Sequence, residues 1–279
     1  MPKPALSLVG YLEKEKALEY LQKTCLSDDP SPQALLQHYT NAQSQLGPAI
    51  QKAGYPEILD IPAGYESYIN MVKTTPYVKA FETGNLVTIQ LVEIAPLLAF
   101  QVHIELERAE SLYQPTNEVP GIVDMLAACL PLVPQSIPFE FSHPQSPNTV
   151  MMRTPSLNLR AFNSGLFTLP NGENYFGVKI DGANPFVQVV RFEGRAYLIN
   201  GFHRAYSLGK AGAKYFPCIF QEVHSLSGIV NLGFPLELLQ SDNPPSLSHY
   251  IYERAYPVKL RNYRKHMVIT YAEHLYFEE

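Results

Sequence analysis

His203 and Arg204 stand side by side directly after Asn200-Gly201-Phe202, and this is the densest grouping of chemically useful side chains in the 279-residue chain. An imidazole can donate a hydrogen bond or move a proton near neutral pH, and a guanidinium matches phosphate oxygens bidentately. Gly201 can bring backbone N–H groups close to a ligand. Free amides at a helix start favour an anion by about 0.3–1 kcal/mol when exposed and up to ~2 kcal/mol when partly buried. Hydrogen bonds to a charged group add about 1.5–3 kcal/mol each, so Arg204 would outweigh the helix dipole. Phosphate is the expected ligand class, with Asn200, Gly201, Phe202, His203 and Arg204 as binding residues and His203 and Arg204 as the catalytic pair. The competing reading is a plain capped turn, with His203 closing it and Arg204 paired to a surface carboxylate.

The elements that must hold this group are legible on either side of it. Pro185 to Phe192 and Ala196 to Ile199 are apolar runs separated by Glu193-Gly194-Arg195, the pattern of two strands joined by a tight turn. After Gly201 the period changes to that of a helix ending near Ala211, with Gly212 as a left-handed cap, and Tyr215 to Phe220 returns to a strand. His203 and Arg204 then fall in the first turn of a helix.

The order strand, Asn200-Gly201-Phe202-His203-Arg204, helix with Ala205 and Leu208, Gly212, and strand with Pro217-Cys218-Ile219 resembles the core of the ParB/sulfiredoxin-like superfamily, over roughly residues 177–221. The resemblance implies an α+β fold with a mixed α/β core in the C-terminal half. It also implies a phosphate-binding site for a nucleoside triphosphate, CTP or ATP with Mg²⁺, at this loop, and an activity of nucleotide hydrolysis or nuclease type. Two departures narrow it. Sulfiredoxins carry a cysteine where this chain has Phe202, so no thiolate is available for their chemistry. Partition proteins carry a glutamate before the arginine and a helix-turn-helix downstream, and this chain has neither.

Elsewhere the chain reads as globular. Hydrophobic residues make up 46% and charged residues 17%, and the net charge of -5 gives no bulk field for coating nucleic acid. Cys25, Cys129 and Cys218 are far apart and odd in number, which suggests buried thiols and no disulfide framework or zinc site. Without a long apolar run, a cytoplasmic protein with no membrane span is expected. Residues 1–130 read as an N-terminal α+β region. Tyr11, Leu18, Leu21 and Cys25 mark one helix; Ser31-Pro32 opens a second with Leu35, Tyr39, Ala42, Leu46 and Ile50 on its stripe, ending at Gly54. A third runs from Tyr65 to Thr74. Leu86 to Val92 and the alternating Leu98 to Leu106 read as a hairpin, with His103 and Glu105 on its solvated face. Gly121 to Leu130 reads as a short apolar helix. Residues 131–155, rich in proline, read as a connector docked on the body, and 156–279 as the ParB-like domain. Glu253 to Met267 is the most basic window and reads as an edge hairpin, so nucleic-acid binding is expected to be weak at most.

Two function classes follow. One is a nucleotide- or phosphate-handling enzyme in which His203 works on a proton; the carboxylate ligand of its Mg²⁺ is unidentified, with Asp181 and Glu193 near the motif in sequence. The other is a regulatory or scaffolding protein that keeps the pocket as a sensor, or keeps only the fold, and binds a macromolecular partner.

Overall fold

The computed structural model describes residues 2–47, 52–79, 87–113, 119–133, 138–142, 149–154, 159–182, 185–226, 233–262 and 265–270. By contacts the chain forms two units, one of Met1–Val133 with Pro185–Arg261 and one of Pro134–Asn184 with Asn262–Glu279. This differs from the three consecutive segments expected, and the reason is strand pairing: the first half supplies strands to the sheet that carries the Gly201 motif.

The larger unit begins with β1 (Lys3–Ser7), α1 (Lys14–Thr24), α2 (Pro32–Leu46), β2 (Ile58–Asp60), α3 (Glu66–Thr74) and α4 (Pro76–Lys79). It continues with β3 (Val87–Glu93), β4 (Leu98–Ala99), β5 (His103–Glu105), α5 (Leu106–Leu112) and α6 (Ile122–Cys129). The smaller unit contributes β6 (Glu140–Ser142), β7 (Thr149–Thr154), β8 (Leu159–Thr168) and β9 (Asn174–Gly182). The chain then returns to the larger unit with β10 (Gln188–Phe192), β11 (Arg195–Asn200), α7 (Phe202–Lys210), β12 (Tyr215–Glu222), α8 (Leu236–Leu239), α9 (Leu247–Ile251) and β13 (Tyr256–Leu260). It ends in the smaller one with β14 (Lys265–Thr270).

A mixed sheet in the order β2-β3-β12-β10-β11-β4 forms the centre of the larger unit. β10 and β11 form the expected hairpin, with Glu193 and Gly194 both at positive φ in its turn. β12 lies parallel to β10, with Gln188 opposite Ile219, so α7 carries the chain from β11 over β10 to its far side. The side chains of β12 from Phe216 to Phe220 are all buried, as a central strand covered on both faces requires. Around this sheet the apolar side chains of α1, α2, α6, α7 and α9 join one continuous core.

α2 forms as its sequence signals direct: the Ser31 side chain accepts from the Ala34 N–H at 3.3 Å, Pro32 occupies the first turn, and Leu35, Tyr39, Ala42 and Leu46 are buried along one stripe. It ends at Leu46 before Gly47 at φ +67°, earlier than expected. Ile50 lies outside the described residues. Gly54 serves a different purpose, its N–H bonding Pro96 O and its carbonyl accepting from Ala196 N–H.

The expected N-terminal hairpin is not formed. β3 pairs with β12 and β2, whereas β4 is the opposite edge of the same sheet, parallel to β11. The alternating run 98–106 breaks after Ala99, and β5 joins a second sheet in the order β13-β1-β5. An alternating pattern fixes which face is apolar but not which strand lies alongside. The basic window likewise divides: β13 is an edge of the β1 sheet, and β14 is an edge of the β14-β7-β6 sheet in the smaller unit. β8 and β9 pair as a separate antiparallel ribbon there.

Gly10 shows how closely the larger unit packs. A Cβ at this position would lie 2.8 Å from backbone atoms of Ala42 and Gln43 in α2. Gly10→Ala is expected to destabilise by about 2 kcal/mol, lowering the melting temperature by about 4–8 °C in a circular-dichroism scan, because backbone must move to admit the methyl group. An unchanged melting curve would mean that α2 is free to yield.

Candidate functional site

Gly201 occupies the N-cap of α7 at φ +99°, where a Cβ would also lie 2.7 Å from Val187 Cγ2. Both the left-handed backbone and the approach to β10 therefore demand glycine. Phe202 turns inward and is buried, and Asn200 Nδ2 donates to Phe186 O at 2.8 Å. The five expected site residues thus share one strand-to-helix junction, with their side chains pointing in different directions.

His203 is withdrawn from solvent, with 8% of its surface exposed. Its Nε2 accepts from the Glu105 backbone N–H at 3.2 Å. Burial first, and then the charge of Arg108, holds its pKa down at about 3. A neutral imidazole with its acceptor occupied has no proton to exchange near neutral pH. The hydroxyl of Ser207, one turn on, donates to Ala109 O at 2.6 Å, so α5 and α7 are tied together beside it.

Arg204 is half-buried. Its Nη1 donates to Ala128 O at 3.1 Å, to Cys129 O at 3.5 Å and to Pro185 O. The first two are at the C-terminal end of α6, where a cation meets the negative end of the dipole, and Cys129 O also accepts from the Val187 N–H at 2.8 Å. Among the described residues Nε and Nη2 make no hydrogen bond and no carboxylate pairs with this guanidinium. The surface ion pair weighed for Arg204 is therefore not formed.

Arg108 is the residue that sequence reading missed. It lies on α5, its charge acts on both His203 and Arg204, and its side chain makes no hydrogen bond or ion pair among the described residues. No local motif announces it, because α5 and α7 are far apart in the chain. Gln188 adds a third unspent donor: it is opposite Asn200 in the β10–β11 ladder, is 7% exposed, and its buried Nε2 has no acceptor among the described residues. A buried donor left unpaired costs about 1–3 kcal/mol.

The neighbouring β5 pair is a correction. Glu105 is buried and forms an ion pair with Lys3 Nζ at 2.9 Å, and His103 Nδ1 contacts the Tyr20 hydroxyl at 2.9 Å. The face expected to be solvated is covered by α7 and α1. Glu193 stands in the hairpin turn at the other end of β11 from Gly201, accepting from Gln240 Nε2 at 2.8 Å. The Asp181 side chain lies outside the described residues. Among the described residues no group of three or more His, Cys, Asp or Glu is arranged to hold a metal ion, and no helix is long and apolar enough to cross a membrane. All three cysteines are buried thiols, with burial raising Cys25 to about 11 and Cys129 to about 12.

Comparison with family models, with curated proteins and with solved structures returned no match.

Proposed function

We propose that this protein binds phosphate or a nucleoside phosphate at the start of α7 without hydrolysing it, acting as a sensor or scaffold of ParB-like ancestry. The observation that carries this reading is the pair of guanidiniums on the packed helices α5 and α7, Arg108 and Arg204, neither of which has a carboxylate partner among the described residues. Like charges held together raise each other's cost, and a shared anion relieves it. The amides after Gly201 and the unpaired Gln188 Nε2 add uncharged donors on the same junction. His203, neutral and bonded to the Glu105 N–H, supports binding over turnover. The net charge of -5 favours a small phosphorylated ligand over duplex nucleic acid.

Calorimetry and thermal melting with inorganic phosphate, ATP and CTP, each with and without Mg²⁺, test the proposal. At least one should bind and raise the melting temperature, with no phosphate released over hours. Arg108→Gln should weaken that binding about tenfold and leave the unliganded melting temperature unchanged, since this side chain has no internal partner to lose. No heat and no melting shift with any of the three would overturn the anion site. Hydrolysis that His203→Gln abolishes would instead make the protein an enzyme.

A second reading rests on the Nη1 contacts of Arg204, which join α6, α7 and the start of β10. If no anion binds, those contacts leave a scaffold in which the arginine has only a structural task.

A further inference from the structure

Away from the α7 junction, a cleft of ≈ 570 Å³ opens between α1, α2 and β13. Its floor is buried and apolar, made by Leu21, Cys25 and Leu35, with Leu106 and Val258 on the walls. This volume lies within the range of small-molecule sites, which are about 300–1,000 Å³, mostly apolar and provided with a few placed polar groups. The rim is held in advance of any ligand. Leu26 N–H bonds Lys259 O at 2.7 Å, Arg261 N–H bonds Thr24 O at 2.9 Å, and Arg261 Nε donates to Cys25 O at 3.1 Å. A site braced by backbone hydrogen bonds has little ordering left to do when it binds.

The polar group inside the cleft is a coupled pair: His38 Nδ1 and the Tyr256 hydroxyl are 2.8 Å apart, one from α2 and one from β13. When the hydroxyl donates to Nδ1, the ring proton sits on Nε2, so the pair offers one further donor and one free oxygen acceptor. That combination suits a ligand group that both donates and accepts, such as a hydroxyl or an amide. The rim carries Asp28 and Asp29 against Lys259 and Arg261, so the formal charges cancel and no net field draws a carboxylate or phosphate in. The chemistry therefore differs in kind from that of the anion junction.

We infer that this cleft is a binding site for an uncharged amphipathic small molecule, with its apolar body on Leu21, Cys25 and Leu35 and a hydroxyl or amide on the His38–Tyr256 pair. The inference does not depend on phosphate binding at α7, and phosphate should not compete.

The test uses the full chain and N-phenyl-1-naphthylamine, an uncharged dye with one N–H that fluoresces in apolar surroundings. Saturable binding at one site per chain in the micromolar range is expected. 1-Dodecanol should displace the dye at least tenfold more effectively than dodecanoate. Tyr256→Phe should weaken dye binding about 3- to 10-fold, the loss of a neutral hydrogen bond. Val258→Phe, which fills the cleft, should weaken it at least tenfold. Leu26→Trp does the same from the exposed rim, where folding is not at risk, and melting curves confirm that each variant is folded. Absence of saturable binding, equal displacement by the alcohol and the carboxylate, or unchanged affinity in the folded filling variants would each overturn the inference.

Discussion

Lowering the pH from 7 to 5 is expected to remove about 4 kcal/mol from the stability of the folded protein, through two histidines that it buries in neutral form. His203 titrates at about 3 and His249 at about 4, each depressed chiefly by burial. His249 is fully buried at the start of α9, where Nδ1 accepts from the Ser246 N–H at 3.2 Å and Nε2 lies 2.8 Å from the Tyr11 hydroxyl. In the unfolded chain both rings take up a proton near pH 6.5, and in the folded protein neither does until the pH is far lower. The unfolded state therefore binds more protons between these limits, and stability must fall as pH falls. The contribution is complete above about pH 6.5 and is lost progressively toward pH 4 and 3. At pH 5 each ring lies about 1.5 pH units below its unfolded value, equivalent to about 2 kcal/mol apiece. Urea unfolding followed by circular dichroism at pH 7, 6 and 5 measures the slope. His203→Gln, which cannot titrate, should show about half of it. A stability that stays flat from pH 7 to 5 would mean that these rings are protonated in the folded protein.

Arg204→Ala is expected to cost about 3 kcal/mol and to abolish phosphate binding as well. The substitution strips Nη1 from three carbonyls at once, and a hydrogen bond to a charged group contributes about 1.5–3 kcal/mol. It also leaves the end of α6 without its cation. Partial solvent access at this side chain keeps the total below the sum of the individual bonds. Arg204→Lys should recover less than half of the loss, because the shorter lysine stem does not carry its ammonium to the position that Nη1 occupies. Arg108→Gln is the contrast: binding weakened about tenfold, stability kept. A change under about 1 kcal/mol in Arg204→Ala would show that the guanidinium is not a structural tie.

The local chemistry of the chain determined the elements around the junction. Glu193-Gly194 makes a turn, Gly201 and Gly212 take positive φ, and Ser31-Pro32 opens α2, because each of these signals acts on backbone within a few residues of itself. What only the tertiary structure decided is which distant segments meet. Period-2 alternation in residues 98–106 is the same whether a strand pairs with its neighbour or with β11, so the split into β4 and β5 left no mark on the sequence. Burial of Glu105 depended on α7 covering that face and on Lys3 arriving from β1. The packing of α5, which carries Arg108, against α7, which carries Arg204, and the closing of the cleft between α2 and β13 have the same origin. Each is a contact made by packing between elements far apart in the chain, and packing is a property of pairs of surfaces that no single stretch of residues encodes alone.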